Sequence, residues 1–385
     1  MKGTTKIHAS SEKESIMRNN KLLKIGSFLL LLLLIFSMGL LSTGAANSAK
    51  SPTEVFVGGM PFGVKFNTQG VLVVGFCDVE VSDTAGASRK VNPARDGGLQ
   101  IKDVITAVDG KPLTSADDLT QAVEESRGNP MTFTIKRRDA SSSAKRNLKQ
   151  TAEQSNTETL TVKITPAYCK NENRYKTGLW IRDSGAGIGT VTFVLPGSNA
   201  FAGLGHGICD GDTGELIPMQ RGQVMDVTIS GIKKGLSGDP GAIKGYFAPG
   251  KTGTLLGNTS CGVYGVYATL PATAKRKVSI CDRNQVKDGE VTILCTLDDG
   301  NMGSYKATIS HIDRQATGSK CFAITITDPT LLAKTGGIVQ GMSGSPILQN
   351  GKLVGAVTHV LVNDPTTGYG IFVDNMLRDM PELLK

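Results

Sequence analysis

Apolar runs in this chain are short, and most alternate with polar positions. Val55-Phe56-Val57 and Val71-Leu72-Val73-Val74 read as buried strands, separated by the turn-formers Gly58-Gly59-Met60-Pro61-Phe62-Gly63 and Asn67-Thr68-Gln69-Gly70. Ile105 to Val108 is a further strand, closed by the tight turn Asp109-Gly110. Ser115 then N-caps a predicted helix in which Leu119, Ala122 and Val123 share one buried face. Met131 to Lys136 and Thr159 to Ile164 alternate again as strands. Beyond Pro166 only short strands are predicted: Gly189–Val194, Gln223–Ile229, Lys277–Ile280, Val291–Leu297, Ala307–Ile309, Phe322–Ile326 and Leu353–Val362. Short strands joined by Gly-rich turns predict a sandwich or a pair of barrels.

Two segments break this pattern. Ile25 to Leu41 is a run of 17 residues without a charge, preceded by six Lys/Arg and followed by the small residues Thr43-Gly44-Ala45. It predicts a cytoplasmic basic segment (1–24), a signal or membrane anchor (25–41) and a tether (42–54), with everything after about residue 45 exported. Residues 139–158 are Ser-, Lys-, Gln- and Asn-rich with few large apolar side chains, which predicts a flexible insertion.

Forty-seven glycines against one Trp, seven Tyr and twelve Phe fit a mainly β chain with many turns. The net charge of +8 does not predict a nucleic-acid partner. Much of it sits in the leader, and the cluster Lys136, Arg137, Arg138, Lys145, Arg146 and Lys149 has no interleaved aromatics. Seven scattered cysteines without a C-x-x-C pair predict small buried side chains rather than a metal site, and no cofactor is expected.

Asn92-Pro93-Ala94, the Gly98-Leu99 turn, Asp103-Val104-Ile105 and Asp109-Gly110-Lys111-Pro112 ahead of the helix resemble a bacterial PDZ domain spanning residues 55–165. The resemblance implies an α+β domain that binds an extended peptide by strand addition. Its carboxylate-holding loop is expected at Met60 to Val64, with Pro61, Phe62, Gly63 and Val64 bordering the peptide.

The chemistry is concentrated in Gly341-Met342-Ser343-Gly344-Ser345-Pro346. A serine hydroxyl needs a neighbouring base and donors for a developing oxyanion. Flanking glycines let the backbone turn so that the N–H groups of Gly341 and Ser343 converge. Followed by a hairpin and Val354-Gly355-Ala356-Val357, this resembles the nucleophile region of chymotrypsin-like serine proteases. A base able to take and return a proton is offered by His206, set in a turn by Gly205 and Gly207; His311 lacks such flanks, and His359 follows the nucleophile on a strand that would line the cleft.

Gly178-Leu179-Trp180-Ile181-Arg182-Asp183-Ser184, Gly187-Ile188-Gly189-Thr190-Val191-Thr192, Gly203 to Ile208, Asp212-Thr213-Gly214 and Thr335 to Pro346 resemble the sporulation stage IV protein B peptidases. The resemblance implies a leader, a PDZ domain and then a chymotrypsin-like double β-barrel serine peptidase over residues 166–385. It implies an endopeptidase released between forespore and mother-cell membranes, where it cleaves the membrane-bound regulator of an intramembrane metalloprotease and activates the late mother-cell sigma factor. Self-cleavage and membrane association through the N-terminal segment come with it. The family's acid maps to Asp328, which would orient His206. Only 15 residues part it from Ser343, and Asp226, 20 residues after His206, is the geometric alternative.

Overall fold

The computed structural model describes residues 53–82, 87–138, 157–297 and 300–385. The expected leader, most of the tether and nearly all of the 139–158 insertion lie outside them.

One long strand organises the N-terminal half. In β1 (Pro61–Phe76), Phe62, Val64 and Phe66 alternate into one core, and after a kink at Thr68 to Gly70 Val71 and Val73 enter another. The second half of β1 pairs with β2 (Val104–Val108), which continues to β3 (Met131–Arg138) and β4 (Thr157–Ile164). Helix α1 (Ala116–Glu125) covers this sheet. Ser115 accepts from the N–H of Asp118, the Asp118 carboxylate accepts from Ser115 N, and Leu119 and Val123 are buried, as the sequence pattern predicts.

The chain returns along β5 (Leu179–Val194), antiparallel to β1 over nearly its whole length, first inside this α+β unit and then beyond it. Strands β6 (Ala200–Gly203), β7 (Met219–Met225), β10 (Gly253–Thr259) and β11 (Gly262–Tyr267) complete a ring, with the hairpin β8 (Val227–Lys233) and β9 (Ala242–Phe247) standing outside it. The ring runs β1-β5-β6-β11-β10-β7 and back to β1, a closed six-stranded barrel. Its core holds Phe62, Val64, Phe66, Val191, Phe201 and Val263.

A second closed barrel is formed by β12 (Gly289–Thr296), β13 (Met302–Ser310), β14 (Phe322–Ile326), β15 (Pro346–Gln349), β16 (Lys352–Leu361) and β17 (Asp364–Phe372), in the order 12-13-14-17-16-15. The helix α2 (Pro329–Thr335) leads from β14 toward the nucleophile turn. The expected double barrel with a PDZ domain is therefore present.

The domain boundaries differ from expectation. The PDZ unit does not precede the peptidase but is inserted into its first barrel, between the two halves of the β1–β5 pair. Pro61, Phe62, Gly63 and Val64 consequently belong to the barrel and border no peptide groove. Phe62 and Val64 are 2% exposed, Phe62 packs edge-on against Phe201 at 5.5 Å, and a Cβ at Gly63 would lie 2.5 Å from the Phe247 ring. The period-two pattern of Phe62, Val64 and Phe66 marks a half-buried strand in either domain, so it does not say which core it faces.

Candidate active site

Ser343 lies in the turn between α2 and β15, held against the first barrel by β5. Thr190 N donates to Ser343 O at 2.9 Å, Thr190 Oγ1 to Gly341 O at 2.8 Å, and Thr192 Oγ1 to Gly344 O at 2.8 Å. Three carbonyls are thus drawn to one side. The N–H groups of Gly341 and Ser343 have no hydrogen-bond partner among the described residues, whereas those of Met342, Gly344 and Ser345 are bonded to Val339, Val357 and Met342. Gly341, at φ 99°, adopts a conformation that other residues reach only with strain. These two donors are left free at the positions the sequence offers for an oxyanion hole. Hairpin β8–β9 braces the approach to it, since Gln340 N donates to Gly241 O and Ile243 N to Gln340 O.

The candidate base, His206, arrives from the first barrel. Leu204 and Gly205, at φ 64° and 69°, form a sharp turn after β6, and a Cβ on Gly205 would meet Thr358 and Ile371 of the second barrel. His206 therefore stands at the junction of the barrels. Its Nδ1 is 2.9 Å from Gly207 O. A carbonyl only accepts, so Nδ1 carries the proton and Nε2 keeps the lone pair that a general base needs. Burial pushes the His206 pKa below its usual value, partly offset by the Gly207 carbonyl. Ser343 Oγ donates to Thr358 O at 2.9 Å, so it must rotate to reach the imidazole.

Asp328 does not orient His206. It is the N-cap of α2: Oδ1 accepts from Thr330 N at 2.9 Å and Leu331 N at 3.1 Å, and Oδ2 accepts from Lys306 N at 3.2 Å. Burial opposes its charge, but these donors and the Lys306 charge outweigh it and hold the carboxyl below the usual range. Asp328-Pro329, where the family's acid was expected, is a common helix start, an N-cap followed by Pro at N1. Asp226 sits between β7 and β8; burial, with help from its charge, raises the Tyr267 pKa. No carboxylate bonds to His206 among the described residues; the Gly207 carbonyl fixes its tautomer instead.

This assignment has a direct test. Asp328→Ala should lower stability by about 1–2 kcal/mol through loss of the cap, and leave kcat within a few-fold below the melting range. Asp328→Asn keeps the oxygen that caps α2 but loses the acceptor for Lys306 N, so it should cost about 1 kcal/mol in stability and leave kcat unchanged, whereas an orienting acid would cost roughly 10⁴ in kcat. Melting curves and kcat for both variants separate the roles.

His359 faces the base, with ring centroids 5.0 Å apart and planes tilted by 40°. Burial, with help from His206 and Lys320, lowers its pKa to about 4. The unfolded chain takes up both histidine protons near pH 6.5, where the folded chain does not. Stability should therefore fall as pH drops from 6.5 toward 4. In His359→Gln the loss of Tm between about pH 7 and about pH 5 should be smaller. An unchanged loss would exclude His359 as its source.

The loop after His206 is gripped by the inserted domain. Arg182, at the bend of β5, pairs with the buried Asp210 and, at 2.9 Å, with Asp212. Lys102 and Arg138 reach Glu215 at 2.9 and 2.6 Å. Asp210 also serves as a turn residue, accepting from the N–H groups of Asp212 and Thr213. From the barrel side, Asn258 bonds both main-chain groups of Ile208.

Residues 173–377 match the SpoIVB peptidase S55 profile and residues 90–137 a PDZ domain profile. The first match covers more than half of the chain and contains both His206 and Ser343. The chain belongs to the SpoIVB peptidase S55 family. It is a serine endopeptidase with an inserted PDZ domain. No curated protein matches it. Among solved structures, the inactive form of the Rv3671c protease of M. tuberculosis is 15% identical over 50% of this chain and 82% of that one, with a TM-score of 0.31. The HtrA-type protease AlgW with a tripeptide is 14% identical over 50% of this chain and 54% of that one, with a TM-score of 0.30. Similarity this slight carries no argument.

Several parts of this S55 peptidase's site were not legible as single residues. Thr190 and Thr192 were part of a recognised stretch, but their work on the nucleophile turn depends on a strand 150 residues away in sequence, with separations of 151 and 152. Two buried threonines within the apolar stretch Ile188 to Val194 are the signal that points to them. The cysteines follow the bland reading: all seven are free thiols and five are buried.

Proposed function

We propose that this peptidase is exported through its N-terminal segment and acts in sporulation, cleaving the membrane-bound regulator of an intramembrane metalloprotease between the forespore and mother-cell membranes. The observation that carries this reading is the S55 match across both catalytic residues. The PDZ insertion supports a narrow rather than a degradative role. A binding domain raises the effective concentration of a partner without adding catalytic groups, and here its cations also hold the loop that follows the base.

Strand addition in the insert has its place at the first residues of β5, beside α1. There Leu179 and Ile181 pack on the same core as Leu119 and Val123, and Leu179 to Arg182 pair with a strand only on the β1 side. The full chain should cleave the extracytoplasmic part of such a regulator, or a second copy of itself, at single sites and leave casein intact. General degradation of casein would instead indicate a quality-control protease. Cleavage of no substrate by a chain that folds would indicate a PDZ adaptor.

A further inference from the structure

The geometry points to a shallow, uncharged S1 site closed by Ile338, which restricts the residue before the scissile bond to small aliphatic side chains. The inference rests on the serine endopeptidase reading and concerns its specificity. Strand β16 passes the nucleophile at Thr358, whose carbonyl holds Ser343 Oγ. Beyond it, His359 and Val360 pair with Tyr369 and Gly368 of β17 on one edge. A substrate chain entering beside Ser343 meets the space bounded by these two strands and by Gly337 and Ile338, which precede the oxyanion turn.

That space is already filled. Gly368 has no side chain, and a Cβ built there would lie 2.1 Å from His359 O and 2.7 Å from Ile338 Cδ1. Ile338 is 3% exposed, and Val360 packs against the same core. The backbone behind Ile338 does not yield, because Ile338 N donates to Pro365 O at 2.7 Å. The four residues that close it carry no charged side chain: Ile338, Val360 and Gly368 are apolar and Gly337 has no side chain, while Lys320 stands over the Tyr369 ring at 5.2 Å. An Asp at the base of this site selects Lys or Arg, a long apolar slot selects aromatics, and a filled slot selects small residues. Phe would have to displace a packed isoleucine, and Lys would bury an unpaired ammonium, so both are disfavoured by overpacking or charge burial.

Peptidyl diphenyl phosphonates differing only in the P1 side chain (Ala, Val, Phe or Lys) test this on the full chain in mild detergent. The second-order rate of Ser343 modification should be at least about 100-fold higher for Ala and Val than for Phe and Lys, the scale of discrimination a closed apolar pocket supplies. Ile338→Ala should lower the Ala-to-Phe preference at least tenfold. If that variant does not fold, Val360→Ala should shift the preference in the same direction. A Phe or Lys probe reacting as fast as Ala overturns the inference, as does an unchanged preference in a folded Ile338→Ala or Val360→Ala. Reaction of none of the probes, and of no small fluorophosphonate, counts instead against the peptidase reading beneath it.

Discussion

Ser343→Ala should abolish peptide hydrolysis while leaving the fold unchanged, with kcat reduced by about 10⁵–10⁶. The hydroxyl's one bond is to Thr358 O at a half-buried position, and the turn itself is held through main-chain groups by Thr190 and Thr192. Removing the oxygen therefore leaves that carbonyl without a donor but disturbs no packing. His206→Ala should be nearly as inactive, since nucleophile and base act as a unit, and the double variant should be little worse than either. Stability of Ser343→Ala within about 1 kcal/mol of wild type, read from urea midpoints, would show that the loss is chemical rather than structural.

Gly344→Ala should be as inactive as Ser343→Ala, but for a different reason. Gly344 has φ 93°, and a Cβ there would lie 1.9 Å from Thr190 O and 2.5 Å from Leu204 N. Both obstacles are main-chain atoms, one on a barrel strand and the other in the turn that carries His206. Neither gives way without parting the barrels. Positive-φ strain and overpacking together predict a stability loss of about 3–5 kcal/mol. The turn bearing Ser343 would be driven away from the turn bearing His206, so kcat should collapse even where the protein remains folded. A folded Gly344→Ala enzyme with kcat within tenfold of wild type would mean that the two turns need not touch.

These two glycine-flanked turns were the most legible part of the site. Gly341-Met342-Ser343-Gly344 and Gly205-His206-Gly207 carry local requirements, positive φ and close backbone approach, that few other residues meet, so sequence alone marks them. The strands and α1 were legible for the same reason, because alternation and capping are local. What failed was information held between distant segments. Pro61 to Val64 has the same apolar pattern whether β1 serves a PDZ sheet or a barrel, and only pairing with β5 and β7 decides it. The insertion was hidden because β1 and β5 each cross from one domain to the other without a break in pattern. Asp328 misled because an acid before Pro serves equally as an N-cap and as a motif residue, and its role depends on where α2 starts. The grip of Lys102, Arg138 and Arg182 on the loop after His206 joins residues up to 113 positions apart and left no local trace.

The proposed roles of Ser343 as nucleophile and His206 as its base, at the junction of two barrels, underlie every catalytic expectation above. Reacting the full chain with a small fluorophosphonate and mapping the adduct by peptide mass spectrometry decides between these roles and any other assignment. A single adduct on Ser343 is expected, absent from Ser343→Ala, formed far more slowly in His206→Ala, and formed at the wild-type rate in Asp328→Asn. An adduct on another residue, or undiminished labelling of Ser343 in His206→Ala, would contradict these roles.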